Sequence, residues 1–268
     1  MTEPGREAAD LIRRHAALPY AVGIVLGSGL GGVARQVRDP VRIPYSAIPG
    51  FPPASVSSHA GELVLGWIEG VAVVVFSGRS HYFETHDIRA MREPIAAAAA
   101  LGCDTLILTN AAGSLRTEVG PGEVMLISDH INFSGANPLI GEPTDRRFVS
   151  MTAAYDPRLR AEVLGAAERE GVALSTGVYM YLSGPTFETP AEIRMIARAG
   201  AHLVGMSTVP EVILGRFFGL KCAGISSIVN FAAGMTGADI SHEETKELAP
   251  IGAAKIERIL CRYLRDRR

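Results

Sequence analysis

The chain contains two consecutive strand-to-helix junctions, Gly177-Val-Tyr-Met-Tyr-Leu-Ser-Gly-Pro-Thr-Phe-Glu-Thr-Pro-Ala-Glu192 and Leu203-Val-Gly-Met-Ser-Thr-Val-Pro-Glu211. In each, a β-prone apolar run is followed by a threonine and, three positions later, by a glutamate. Thr189 with Glu192, and Thr208 with Glu211, match the capping box that opens a helix. Pro190 stands at the first helical position, where its missing N–H costs nothing. The pattern indicates an α/β fold with polar groups at neighbouring strand ends.

Three residues at these junctions are candidates for ligand binding. Ligands of open α/β sheets bind beyond the carboxyl ends of strands, where helix N-termini present free N–H groups. Ser207 is placed there for an anion. Glu188 precedes a helix, so it can remain ionised and accept hydrogen bonds from ligand N–H groups, while Phe187 offers a flat apolar face. This pair suits a planar heterocycle, although a helix-dipole carboxylate beside a core aromatic has the same pattern.

Length and composition bound the class of protein. The 268 residues are 47% hydrophobic and 20% charged, with 29 glycines and a net charge of −2. These values predict a globular chain with a sizeable core, which we interpret as a single domain over residues 1–268. The basic run lies at the end, between Arg262 and Arg268, so no nucleic-acid partner is expected.

Neither a membrane segment nor a metal site is expected from the sequence. The first residues lack the apolar part of a signal peptide, and no apolar run reaches the ~18 residues of a membrane span. We therefore expect a cytoplasmic protein without a membrane partner. The three cysteines are widely spaced and predict reduced thiols. His81 and His86 lack further ligands at metal spacing.

A glycine-rich turn, Gly27-Ser-Gly-Leu-Gly-Gly32, follows a predicted strand over residues 21–26. Its GxGxxG spacing alone suggests a dinucleotide-binding turn, which requires a following helix and an acidic residue roughly 20 positions on. Here prolines fill the next segment, at positions 40, 44, 49, 52 and 53. Backbone N–H groups and the Ser28 hydroxyl are therefore interpreted as a phosphate site, with a merely tight turn as the alternative.

Further anion-binding candidates follow other predicted strands. His59 lies in a small-residue loop, before a predicted hairpin over residues 62–68 and 71–77. That hairpin leads into Arg79, whose planar fork suits phosphate oxygens, and His81, which Glu84 can orient. A surface salt-bridge element is the alternative for this pair. The strand predicted over residues 105–113 ends in small residues, whose backbone N–H groups are interpreted as a further anion site.

The remaining chain is predicted as helices over residues 6–18, 88–101, 157–170 and 209–220, strands over 124–128 and 222–228, and a last helix from about residue 241 to about 265. A long irregular segment, residues 141–154, contains Phe148. A loop of this length usually covers a site or a neighbouring subunit.

Taken in order, several motifs resemble those of the trimeric purine nucleoside phosphorylases, and the match covers nearly the whole chain. They are Gly27-Ser-Gly-Leu-Gly31, Gly78-Arg-Ser-His81, Thr109-Asn-Ala-Ala-Gly113, Gly184-Pro-Thr-Phe-Glu-Thr189, Gly205-Met-Ser-Thr-Val-Pro-Glu211, Asn230 and His242-Glu-Glu244. The resemblance implies an α/β fold whose mixed central sheet forms a distorted barrel surrounded by helices, and a homotrimer. It implies reversible phosphorolysis of purine nucleosides in purine salvage, with inorganic phosphate as co-substrate and no cofactor.

The resemblance also assigns roles to individual residues. Phosphate would be held by Ser28, His59, Arg79, His81, the backbone of Ala111, and Ser207. Ribose would contact Tyr179, Met206 and His242, and the purine would contact Phe187, Glu188 and Asn230. Phe148 would be lent to the pocket of a neighbouring subunit. Asn230, Glu188, His81 and His242 would carry catalysis, chiefly by electrostatic positioning, without a metal.

Two departures and two alternatives stay open. Phe83 stands where the family usually has a tyrosine that touches the sugar, and Val229 where some members have a threonine beside the asparagine. The related methylthioadenosine phosphorylases carry aspartates in the purine pocket, so Asn230 and Glu188 disfavour that activity. A non-catalytic purine- or phosphate-binding homologue on the same fold is the other alternative.

Overall fold

The computed structural model describes residues 3–52, 61–236 and 242–267, and of residues 242–247 it describes the backbone alone. These residues form a nine-stranded mixed sheet with the strand order β2-β3-β4-β1-β5-β8-β7-β6-β9. The strands are β1 Val22–Val25, β2 Arg38–Pro44, β3 Glu62–Ile68, β4 Val71–Ser77, β5 Thr105–Ser114, β6 Val124–Asn132, β7 Leu174–Tyr181, β8 Leu203–Gly205 and β9 Lys221–Phe231. Because β9 also pairs with β5, five strands close into a barrel and four extend from it.

Helices surround the sheet: α1 Glu3–His15, α2 Gly32–Arg35, α3 Tyr82–Thr85, α4 Arg92–Leu101, α5 Pro157–Arg169, α6 Pro190–Arg198, α7 Val209–Phe217 and α8 His242–Asp266. Short 3₁₀ helices cover Tyr45–Ala47 and Asp145–Arg147. Within the described part of the chain, no helix is long and apolar enough to cross a membrane.

The core lies on both faces of the sheet, because strand residues alternate between two buried clusters. On β1, Val25 belongs to the cluster that packs against α1, α4 and α7. Its neighbour Ile24 belongs to the cluster that packs against α5 and α8. A strand covered on both faces has a continuous apolar sequence, and the sequences of β1 and β4 are of this kind. The expected α/β architecture with a barrel-forming sheet and outer helices is confirmed.

The hairpin of β3 and β4 has the bounds predicted from the sequence. Its turn places Glu69 at φ 50° and Gly70 at φ 82°. Two consecutive residues with positive φ form the tight hairpin turn that matches the twist of the paired strands.

Several predicted bounds are wrong. The strand β2 lies in the proline-rich stretch where no strand was predicted, since prolines at positions 40 and 44 are typical of loops. Helix α4 begins at Arg92 rather than at residue 88. Strand β9 continues to Phe231, so Asn230 lies within a strand and not beyond its end.

The two strand-to-helix junctions also differ from each other. At α6 the predicted capping box forms: Glu192 Oε2 accepts the Thr189 N–H at 2.7 Å, and Thr189 Oγ1 accepts the Glu192 N–H at 3.2 Å. At α7 the predicted box is wrong. Thr208 has φ 73° and ψ −49° and makes no side-chain cap. Glu211 is instead ion-paired with Arg79, a partner that the local pattern could not reveal.

Candidate active site

A single pocket collects most of the predicted binding residues. Strands β1, β4, β5 and β9 are parallel neighbours, so their carboxyl ends meet at one edge. Strand β8 pairs with β5 in the antiparallel sense, with Val204 opposite Gly113, and this returns Ser207 to the same place. The predicted residues that line the pocket are Ser28, Arg79, His81, Ala111, Phe187, Glu188, Met206, Ser207 and Asn230.

The turn at Gly27 requires glycine for a physical reason. A side chain there would place its Cβ 2.8 Å from Asn110 Cα and 2.8 Å from Thr109 O. Because glycine has no Cβ, the loop that carries Ser28 can approach the backbone of β5 closely, and no larger residue fits at this position. The loop after β1 and the residues around Ala111 thereby form one wall of the pocket.

Arg79 is 1% exposed although it lines the pocket. Its Nη1 lies 3.0 Å from Glu211 Oε1 and donates to Thr208 Oγ1 at 3.2 Å. Its Nη2 donates to the carbonyl oxygens of Val25, at 3.4 Å, and of Thr109. The guanidinium is therefore attached to β1, β5 and α7.

His81 is held from two sides. Its Nδ1 lies 2.7 Å from Glu84 Oε1, and its ring stacks on Phe83 with ring centroids 4.9 Å apart and an interplanar angle of 11°. The expected orientation of His81 by Glu84 is confirmed. Phe83, one of the two departures from the family pattern, contacts this imidazole and lines the pocket.

Tyr179 lies behind the pocket and not in its lining. Its side chain is fully buried, and its hydroxyl accepts the backbone N–H of Ser207 at 3.3 Å. Burial raises the pKa of the Tyr179 phenol well above its ordinary range. The Tyr179 hydroxyl thus contacts the segment that carries Ser207, and its contact with ribose stays a prediction.

Glu188 differs electrostatically from the expectation. Burial raises the pKa of its carboxyl above the ordinary value, and a backbone hydrogen bond offsets this only in part. The sequence predicted that the helix N-terminus would favour the ionised form, but desolvation outweighs that effect. Its neighbour Phe187 is 41% exposed at the mouth of the pocket.

Asn230 is 7% exposed and lies where the pairing of β5 with β9 shifts register, between Ala112 and Gly113. Such an irregularity re-aims a side chain relative to the regular ladder. A Cβ at Gly113 would lie 3.2 Å from Asn230 Oδ1, so this glycine leaves room for the amide. Val229, the second departure, adds an apolar contact to the pocket.

The remaining predicted residues are His59, His242 and Phe148. His59 lies outside the described residues, and the side chain of His242, the first residue of α8, does so as well. Phe148 is 78% exposed and stacks with the guanidinium of Arg147. Its role toward a neighbouring subunit stays a prediction.

Asn110, Thr208 and Glu211 were not predicted as site residues. Asn110 lines the pocket, and its Nδ2 donates to Thr208 Oγ1 at 2.8 Å. A single amide inside the apolar run of β5 was a detectable signal, because buried polar side chains need partners. Among the residues that the structure describes, no cluster of three or more His, Cys, Asp or Glu side chains is arranged to hold a metal ion.

Comparison with known proteins shows the family to which the chain belongs. A family model described as the phosphorylase superfamily matches residues 21–265. The chain is 45% identical over 245 residues to purine nucleoside phosphorylase 1 of Geobacillus stearothermophilus, covering 90% of this chain and 89% of that protein. The chain belongs to the purine nucleoside phosphorylase family.

Solved structures of this family share the fold. The Schistosoma purine nucleoside phosphorylase in complex with hypoxanthine has a TM-score of 0.92 and 33% identity, covering 98% of this chain and 96% of that chain. Isoform 2 of the Schistosoma mansoni enzyme, in complex with cytosine and ribose-1-phosphate, has a TM-score of 0.90 and 33% identity, covering the same shares. The closed barrel with outer helices is thus the fold of the purine nucleoside phosphorylase family.

Proposed function

We propose that this chain is a purine nucleoside phosphorylase that reversibly converts 6-oxopurine ribonucleosides and 2′-deoxyribonucleosides, such as inosine and guanosine, into the free base and the pentose 1-phosphate. The observation that carries the proposal is the convergence of Arg79, His81 and Ser207 with Glu188 and Asn230 in one pocket. The first three residue types suit an oxyanion, and the last two suit the edge of a purine.

In the forward reaction, the bond between C1′ of the sugar and N9 of the purine breaks, and a phosphate oxygen forms a new bond to C1′. Positive charge develops on the sugar and negative charge on the departing base. Phosphate is both the nucleophile and the counter-charge to the sugar. Arg79, His81, Ser28, Ser207 and the backbone of Ala111 hold the phosphate, so catalysis consists mainly of positioning and charge stabilisation.

The purine is held by complementary hydrogen bonds. The Asn230 amide donates to N7, where part of the negative charge of the leaving base collects, and its donor and acceptor groups suit a 6-oxopurine. Glu188 in its ionised form accepts the N1–H and, for guanine, the exocyclic amine. Phe187 packs against the ring. Met206 lies on the ribose side, and His242 serves the 5′-hydroxyl.

The same proposal includes the setting of the enzyme. The protein acts as a cytoplasmic homotrimer in purine salvage, uses inorganic phosphate as co-substrate, and requires no metal or organic cofactor. Exposed apolar side chains between β6 and α5, namely Phe133, Ile140 and Phe148, support an interface in that region.

The test is product analysis of inosine, guanosine, adenosine and methylthioadenosine with and without phosphate, together with a measurement of purine and phosphate binding. Ribose 1-phosphate and free base should form from the 6-oxopurine nucleosides only when phosphate is present. Equal release of base in phosphate-free buffer would indicate a hydrolase. Preferential cleavage of methylthioadenosine would favour the related phosphorylase, and binding of purine and phosphate without turnover would indicate a non-catalytic homologue.

A further inference from the structure

Glu192 and Glu211 occupy equivalent positions in two junctions with the same sequence signature, yet only Glu192 caps its helix. Glu192 Oε2 accepts the backbone N–H of Thr189 at 2.7 Å. Glu211 follows Thr208 by the same three residues, but no capping box forms at α7. Because a capping box stabilises a helix N-terminus, its loss at α7 requires a competing interaction.

The competing interaction is the ion pair with Arg79. The side chains of Arg79 and Glu211 are 1% and 3% exposed, and Nη1 lies 3.0 Å from Oε1. Removing two charges from water is costly, so a buried ion pair is weak evidence for stability alone. The arrangement gives up a favourable cap and desolvates a carboxylate, which points to a use for the oriented guanidinium.

Thr208 belongs to the same cluster, and its backbone is strained. Its φ of 73° and ψ of −49°, with a 2.8 Å hydrogen bond from the Val209 N–H to the Ser207 carbonyl, describe a three-residue γ-turn. That turn is strained for a β-branched residue, and strain of this kind concentrates at ligand sites. The turn brings Thr208 Oγ1 within 3.2 Å of Arg79 Nη1 and 2.8 Å of Asn110 Nδ2.

These contacts fix the plane of the guanidinium before any ligand arrives. An arginine side chain has several freely rotating bonds, and ordering them at the moment of binding weakens the affinity. Carbonyl groups of Val25 and Thr109 hold Nη2, while Thr208 and Glu211 hold Nη1. Arg79 is thus pre-organised from three elements of the fold.

We propose that Glu211 is a positioning residue for phosphate: its carboxylate, together with the Thr208 hydroxyl, holds Arg79 in the orientation that binds the co-substrate. This inference rests on the proposed function, since it takes phosphate as the ligand of Arg79. Glu211 itself is not among the residues that line the pocket. Its contribution therefore concerns the phosphate more than the nucleoside.

The first test compares Glu211→Gln with the wild type in steady-state phosphorolysis. The KM for phosphate should rise about tenfold or more, because Arg79 loses its ion pair with Glu211 and no longer presents a fixed guanidinium to the phosphate. The KM for inosine should change by less than about threefold if the purine contacts are intact. Glu192→Gln is the matched control, because it removes the equivalent glutamate from α6. It should leave the KM for phosphate unchanged and largely keep the cap of α6, because the side-chain oxygen of Gln can also accept the Thr189 N–H.

A double-mutant cycle separates positioning from general structural damage. If Glu211 acts through Arg79, Glu211→Gln should have a markedly smaller effect on the KM for phosphate in an Arg79→Lys background. The same loss in both backgrounds would overturn the proposal. Thr208→Val and Thr208→Ser extend the test if Glu211→Gln fails to fold. Removal of the hydroxyl should raise the KM for phosphate, and Ser should restore it.

Calorimetric titration with inorganic phosphate measures the same effect without turnover. Weaker phosphate binding by Glu211→Gln, with a folded protein, supports the proposal. Unchanged or tighter binding overturns it while leaving the proposed function intact. Absence of phosphate-dependent base release by the wild type would instead refute the proposed function.

Discussion

Oε1 of Glu84 lies 2.7 Å from both the backbone nitrogen and the Nδ1 of His81. A carboxylate oxygen only accepts hydrogen bonds, so Nδ1 carries the proton that it donates to the ionised Glu84. Stacking on Phe83 fixes the plane of the ring. Glu84 therefore decides both the orientation and the tautomer of a predicted phosphate ligand.

Glu84→Gln should weaken this control, because a neutral amide can present an N–H to Nδ1 and favour the other tautomer. We expect kcat/KM for phosphate to fall about tenfold or more. The control is Glu123→Gln, which removes an ion pair with Lys255 away from the pocket. A normal phosphate dependence in a folded Glu84→Gln variant would contradict this role.

Glu188 should make kcat/KM for inosine fall at acidic pH. Its carboxyl must be ionised to accept the N1–H of the purine, and burial raises its pKa above the ordinary glutamate value. The kcat/KM for inosine should therefore fall with decreasing pH before an ordinary glutamate would titrate. A profile of kcat/KM against pH measures this fall, which should be absent from the weakly active Glu188→Gln variant.

The raised pKa of Glu188 also predicts an effect on stability. The folded state holds this proton more tightly than the unfolded state, so ionisation near pH 7 destabilises the fold. Glu188→Gln should raise the melting temperature of the ligand-free protein at pH 7. The difference should disappear below pH ~4, where the carboxyl is protonated in both states. A difference that persists at low pH would have another origin.

Asn230 should control the choice between 6-oxo and 6-amino purines. Adenosine should be a poor substrate, since its 6-amino group meets the amide with less suitable polarity. Asn230→Asp supplies an acceptor for that amine and sets a carboxylate against O6 of inosine. The ratio of kcat/KM for the two nucleosides should shift roughly tenfold or more. An unchanged ratio in a folded variant would show that Asn230 does not recognise position 6.

Phe148 should complete the pocket of a neighbouring subunit. Sedimentation should give a trimer, and Phe148→Ala should raise the KM for inosine about tenfold while leaving the trimer intact. Hybrid trimers that mix Phe148→Ala subunits with Glu188→Gln subunits offer a sharper test. In such a hybrid, an intact Glu188 from a Phe148→Ala subunit can meet an intact Phe148 from a Glu188→Gln subunit. If those hybrids are no more active than the parents, or if a monomer is fully active, the shared pocket is excluded.

The difference between the two strand-to-helix junctions shows what the sequence could predict. Thr189 and Glu192 interact with each other, so the local pattern was sufficient for α6. Thr208 interacts with Arg79, 129 residues away in the chain, and that partner overrides the same local pattern at α7. A one-dimensional signature describes a local preference, and the tertiary contact decides whether it is realised.

The candidate site was predictable to the extent that polar groups follow buried strands. Ser28, Arg79 and Ser207 were found in this way, and the structure brings them together. Burial could not be deduced for single side chains. For this reason Glu188 was expected to be governed by the helix terminus rather than by desolvation.

The proline-containing strand β2 also affects how the folded protein meets other copies of itself. In the described sheet it is the outermost strand, with β3 on one side and no strand on the other. An open strand edge is a template for unwanted pairing between chains. Prolines at positions 40 and 44 have no N–H to offer, and the ladder is irregular between Arg38 and Val41. The two prolines, because of which no strand was predicted here, thus protect the sheet against edge-to-edge aggregation.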